Sequence, residues 1–170
     1  MPLKGPIMAP TRAEPDRRAA ITEEIVRSTG IDEAMIERLV RGFYDEVRRD
    51  ALLGPIFAAR ISDWDHHIAK LCDFWSSVAL MTGRYHGQPM RAHLPLPVEA
   101  AHFAHWLALF EATARRVCPP AAAEHFLERA RRIAESLQLG IAFRRESQAA
   151  TRGFGAPTPM QIHEPQGEAS

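Results

Sequence analysis

The stretch from Asp32 to Asp50 reads DEAMIERLVRGFYDEVRRD. Its apolar residues Met35, Leu39, Val40, Phe43, Tyr44 and Val47 recur at i, i+3 and i+4, the period of one helical face. Asp32 is suited to cap the first turn. The spacing predicts an amphipathic helix that stops near Asp50, with an aromatic pair, Phe43 and Tyr44, on its apolar side.

The neighbouring segments read the same way. A short helix is predicted from Thr22 to Ser28, ended by Gly30. After Asp50, Leu53-Gly54-Pro55 forms a turn and Ile56-Phe57 follows. Ser62 is a good cap for a third helix through Trp64, His67, Leu71, Phe74, Trp75 and Leu80, stopped by Gly83. Tyr85 to Pro97 is irregular, because Gly87, Pro89, Pro95 and Pro97 limit any helix there to one or two turns. Pro97 opens a fourth helix through Phe103, Trp106, Phe110, Ala114 and Val117. Pro119-Pro120 breaks it, and a last helix carries Phe126, Ala130, Ile133, Leu137 and Ile141. No period-2 pattern or two-residue hairpin signal interrupts the series. The fold class is all-α, with four main helices.

Composition narrows the classes further. The 170 residues are one domain's worth, and 21 basic against 21 acidic residues give a net charge of zero. That balance argues against a nucleic-acid surface. No apolar run approaches the ~20 residues that span a bilayer, so no membrane partner is expected. Met1 to Ala20 carries four prolines and no continuous apolar core, unlike a secretory signal. The two cysteines, Cys72 and Cys118, make neither a disulfide framework nor a C-x-x-C site, and a reducing cytoplasm is the expected location. Residues 1–20 and 148–170 are rich in proline and glycine and are expected to be disordered extensions around a folded domain over 21–147.

Chemistry is sought first among the eight histidines. His66 and His67 are adjacent on the third helix and face about 100° apart. His67 shares a stripe with Trp64, Leu71, Phe74 and Trp75, whereas His66 shares one with Lys70 and Asp73. His67 therefore faces apolar surroundings and His66 faces water; a core histidine bonded to a carbonyl would explain His67 as well. His102 and His105 form H-x-x-H, an i, i+3 pair able to grip zinc, but no third ligand has a suitable spacing and a solvated face is the simpler reading. His93 lies in the irregular segment, directly before Leu94-Pro95-Leu96-Pro97, which presents the imidazole stiffly. Tyr44 and Trp106 each carry a donor that needs a partner when buried. Tyr44, His67 and Trp106 are thus polar handles on three helices, with His93 on a fourth element and Phe57, Leu71, Phe74 and Trp75 as walls. A planar apolar cofactor with a metal at its centre would use all of them, and imidazole is the usual axial ligand of an oxygen-binding haem iron.

In order and spacing these strings resemble the third group of truncated haemoglobins, short bacterial globins built as a two-over-two helical sandwich. The resemblance covers Ile31 to Gly140. It rests on Phe43 to Asp50, Leu53 to Phe57, Trp64 to His67, Asp73 to Trp75, Gly83 to Pro89, His93 to Pro97 and His102 to Leu107. It implies a truncated globin fold around haem b, with His93 as the proximal ligand of the iron. Tyr44 then falls on the distal tyrosine, His67 on the distal-helix histidine and Trp106 on the ligand-facing tryptophan. Phe57 matches the phenylalanine on the haem face and Trp75 a pocket aromatic, with Leu71 and Phe74 beside them. Tyr85 and Arg91 are candidates for the haem propionates. The resemblance further implies O₂, CO, NO or peroxide as ligands, tuned by hydrogen bonds from Tyr44 and Trp106. Two alternatives stay open. One is a haem enzyme with peroxidase or nitric-oxide-consuming activity, which would need a separate reductase because no G-x-G-x-x-G motif is present. The other is a haem-free helical sensor or interaction module.

Overall fold

The computed structural model describes residues 14–153. Among these, seven helices follow one another and no strand forms: α1 (Glu14–Thr29), α2 (Glu33–Arg49), α3 (Gly54–Ala58), α4 (Trp64–Leu80), α5 (Pro89–His93), α6 (Ala100–Val117) and α7 (Pro120–Gly153). The long helices pack as two layers, α2 with α4 over α6 with α7, and α1 leans on α4 and α7.

Helix α2 behaves as its period requires. The Asp32 carboxylate accepts the Met35 amide at 2.7 Å, and the stripe from Met35 to Val47 is buried. Asp50 ends α2 and starts the next turn, because its carboxylate accepts the amides of Leu52 (2.9 Å) and Leu53 (2.8 Å). Gly54 follows at a point where a Cβ would stand 3.1 Å from the Arg48 carbonyl oxygen and 3.3 Å from that of Val47.

Two of these helix starts differ from the sequence reading. Asp63, not Ser62, caps α4: its carboxylate accepts the His66 amide at 3.0 Å, and it stands directly before the first helical residue. Helix α6 begins at Ala100 rather than Pro97, because His102 Nδ1 turns back to accept the Glu99 amide at 3.0 Å. Within the irregular segment, Pro89 opens the single turn α5, a position where its missing N–H costs nothing.

Both expected extensions are helical where they are described. Helix α1 starts at Glu14, with Pro15 in its first turn, and α7 continues through Gln148 to Gly153. From Ile141 to Arg152 the chain has no glycine or proline to stop a helix, so α7 carries on although nearly all of it there is exposed. The rest of the two extensions, 1–13 and 154–170, lies outside the described residues.

The end of α4 is closed from outside the helix. Met81 turns left-handed (φ 59°), which leaves the last carbonyls without intrahelical partners. Thr22 of α1 donates to Leu80 O, His125 Nε2 of α7 donates to Ala79 O (2.9 Å) and Arg129 Nε donates to Val78 O (3.1 Å). Basic side chains at a helix C-terminus also complement its dipole.

Two apolar clusters result. The larger joins α2, α4, α6 and the first turns of α7 around Phe43, Trp75, Phe110 and Phe126. The smaller joins Val98, Phe103, Ala134, Leu137 and Ile141, with Met90, Leu94 and Leu96 against it.

Two stability predictions follow from these contacts. Gly54→Ala places its methyl against two backbone carbonyls that cannot yield as a side chain would. It should cost about 1–3 kcal/mol in denaturant unfolding, as overpacking does; an unchanged midpoint would contradict the close approach. Burial holds the His125 imidazole below the ordinary histidine range, and Arg129 adds to this against the Ala79 hydrogen bond and Glu128. The unfolded chain takes up its proton near pH 6.5 and the folded chain at lower pH, so stability is full above ~6.5 and is lost as pH falls below it. His67, also held low mainly by burial, adds to the same fall. The urea midpoint should drop between pH 7 and 5, and His125→Gln, which can still donate to Ala79, should flatten part of that drop.

Candidate functional site

A cavity of about 410 Å³ opens between the two apolar clusters and is lined by residues of both. This falls within the size range of small-molecule and cofactor sites. Its walls explain why several large apolar side chains are only half-buried. Phe57, Leu71, Phe74 and Trp106 pack on the larger cluster with one side and face the cavity with the other.

On one side α2, α4 and α6 bring polar groups into this apolar space. Tyr44 is 5% exposed, and its ring meets Phe43 edge-on at 4.9 Å and Phe57 at 5.7 Å. Burial raises the Tyr44 hydroxyl well above the usual phenol range, and hydrogen bonding with Trp106 pulls it partly back. The phenol therefore keeps its proton. Trp106 lies flat on Phe110 (5.3 Å, 6°), and Phe110 lies flat on Trp75 (4.9 Å, 16°). The edge of Phe43 closes on both Trp106 (5.3 Å) and Phe110 (5.2 Å). His67 enters edge-on to Tyr44 (6.0 Å) and Trp64 (5.9 Å). Burial, then Lys70 and His66, lower its tendency to protonate, so the neutral imidazole dominates at pH 7. Trp64 is covered in turn by the Arg48 guanidinium, 4.8 Å above its ring.

His93 comes from α5, which packs on α7. Its Nδ1 lies 2.7 Å from the Pro89 carbonyl oxygen. A carbonyl only accepts, so Nδ1 carries the proton, and in the neutral ring Nε2 keeps its lone pair. This is the arrangement in which a histidine ligates a metal, its other nitrogen donating to a carbonyl.

Of the residues selected from the sequence, Tyr44, Phe57, His67, Leu71, Phe74, Trp75, Tyr85, His93 and Trp106 all line this one cavity. Arg91 is exposed and is not part of its wall. Tyr85 packs edge-on against Phe74 (5.3 Å) and covers Gly87 so closely that a Cβ there would overlap its hydroxyl. The H-x-x-H pair separates: His102 serves the start of α6 and lines the cavity, while His105 Nε2 meets the Asp50 carboxylate at 2.7 Å. Among the described residues no group of three or more His, Cys, Asp or Glu could hold a metal ion. No helix there is long and apolar enough to cross a membrane.

Two cations in the wall are not expected there from the sequence: Arg60 is not singled out, and Lys70 reads onto the water-facing stripe of His66. Lys70 stands three residues after His67, on the neighbouring stripe, and that spacing was the available signal. Arg60 lies in the turn after α3, where no period applies. One free imidazole nitrogen, an apolar slot, hydrogen-bond donors and cations in the wall fit a flat apolar ring with a central metal and acidic substituents.

Comparison with known proteins agrees with this chemistry. The model of the bacterial-like globin family matches residues 27–138. A group 3 truncated haemoglobin of Campylobacter jejuni is 38% identical over 113 residues, 64% of this chain and 89% of that protein. The crystal structure of group III truncated haemoglobin from the same organism superposes with a TM-score of 0.62 at 37% identity, covering 65% of this chain and 91% of that one. A cavity with an imidazole prepared for a metal, enclosed by a two-layer helical sandwich that these relatives share, makes this chain a member of the bacterial-like globin family, a family whose cofactor is haem.

Proposed function

We propose that this globin binds haem b through His93 and holds a small diatomic ligand beside Tyr44 and Trp106. The observation that carries the reading is the 2.7 Å contact from His93 Nδ1 to Pro89 O, which leaves Nε2 as an uncommitted nitrogen in an apolar cavity. Bound haem would supply an iron able to take O₂, CO, NO or peroxide as ligand. The rest is the work of the chain. Phe57, Leu71 and Phe74 exclude water from the ring faces. Lys70, Arg60 and Tyr85, which line the cavity, are suited to the two propionates, and Arg91, just outside its wall, is a further candidate. Tyr44 and Trp106 donate toward a ligand that carries partial negative charge, and neither gives up its proton near pH 7. Neutral His67 adds a group that can donate or accept and shares the approach to the ligand.

Two measurements test this. His93→Gly should lose the haem spectrum of the wild type, and added imidazole should restore it. A full, unchanged spectrum without imidazole would end the assignment. In stopped-flow release, Tyr44→Phe and Trp106→Phe should each speed O₂ loss by roughly tenfold or more, as the loss of a charge-assisted hydrogen bond does. CO, less polar as a ligand, should change less, and the double variant should be non-additive because both donors share one acceptor. Equal acceleration of O₂ and CO would mean that the pocket had merely opened.

A further inference from the structure

The family match ends at residue 138, but α7 continues about four turns further to Gly153. Its inner face runs on through Leu137 and Ile141, both buried in the smaller cluster, to Arg145 at the next i+4 position. From there Arg145 Nη2 donates to the Val98 carbonyl oxygen at 2.8 Å. Val98 is buried and forms part of the cavity wall.

This contact falls on a segment with few anchors of its own. Between α5 and α6 the chain runs His93-Leu94-Pro95-Leu96-Pro97-Val98, and its two prolines have no N–H to donate. Inside the segment, Leu96 N–H reaches His93 O (3.0 Å), and Leu94 N–H reaches back to Met90 O (3.1 Å). From outside, Arg60 makes a longer contact to Pro95 O at 3.4 Å. The same stretch of α7 also supports the other end of the segment. A Cβ at Gly140 would stand 2.3 Å from Met90 Sδ, so the Met90 side chain of α5 lies against bare helix backbone there.

We infer that Arg145, seven residues past the family match (145 − 138 = 7), is a positioning residue that sets where the His93 imidazole stands, by holding Val98 and the segment behind it. The inference rests on His93 being the haem ligand. Its route is mechanical: guanidinium to Val98 carbonyl, Val98 to the Pro-rich segment, segment to His93. A segment held at both ends by α7 limits how far the His93 imidazole can shift, so its bond to a metal would be tuned by a side chain that touches neither.

The test uses the full-length holoprotein with Arg145→Met, which keeps the apolar stem, and Arg145→Lys, which keeps a donor. Amide hydrogen exchange and the iron–imidazole stretching band of the ferrous protein are read together. In Arg145→Met, exchange at Leu94 and Leu96, whose amides are bonded within the segment, should rise roughly tenfold, as expected for a lost hydrogen bond to a charged group, with α2 unchanged. The stretching band should move, and Arg145→Lys should recover part of both effects. Faster exchange with an unmoved band would overturn the inference, since the clamp would not reach His93. A moved band with unchanged exchange would overturn the route, and no change in either would overturn both. Failure to take up haem, or an unaltered spectrum in His93→Gly, would instead overturn the haem reading, and the exchange measurement would still report on the clamp.

Discussion

Phe110 lies between two tryptophans, and the site depends on that sandwich. The ring is fully buried, with Trp106 on one face and Trp75 on the other, while Phe43 meets it edge-on. One side chain of α6 thereby fixes the distances to α4 and α2 at once. Parallel rings at about 5 Å and an edge-on third are favoured geometries for aromatic quadrupoles, and each such pair adds about 0.5–1.5 kcal/mol beyond area burial. Trp106 cannot tilt without disturbing Phe110, and Tyr44 cannot retreat without disturbing Phe43. The donors in the cavity are thus stiff because the core behind them is crystalline in its packing.

The cavity also accounts for the division of the core. The larger cluster supplies Phe57, Leu71, Phe74 and Trp106 to one part of its wall, and the smaller supplies Val98, Phe103, Ala134 and Leu137 to another. Apolar side chains gain dispersion contacts only on the sides where atoms lie against them. An apolar ring of matching shape would join the two clusters into one. The two walls that such a ring would bridge are already set by the packing of the helices behind them.

Much of this was legible in the sequence, and the exceptions have physical reasons. Periodicity located α2, α4, α6 and α7, since each buries one stripe, and the same facing argument separated His67 from its exposed neighbour His66. Helix caps were read less well, because Ser62 and Asp63 are both good caps and only the backbone decides between them. The fate of His105 could not be read at all: its partner Asp50 lies 55 residues away, across the α2–α6 packing. Composition misled at both ends. Prolines spread through the first twenty residues suggested an unstructured segment, yet Pro15 occupies a first turn, where proline is at home. The last turns of α7 have no buried stripe to announce them, and only the absence of breakers carries the helix forward.

The closing of α4 by other helices has a consequence for how the chain comes to be made. Val78 and Ala79 leave the ribosome well before Arg129 and His125, their partners 51 and 46 residues later. At the ~5–20 residues per second of synthesis, the Val78 and Ala79 carbonyls spend several seconds without these partners, while Thr22, already made, is at hand for Leu80 O. The last turn of the helix that carries His67, Leu71, Phe74 and Trp75 is then open to fraying until α7 has emerged. The helix that holds the segment behind His93 and the helix that closes α4 are the same one, so both sides of the cavity wait for α7 to emerge.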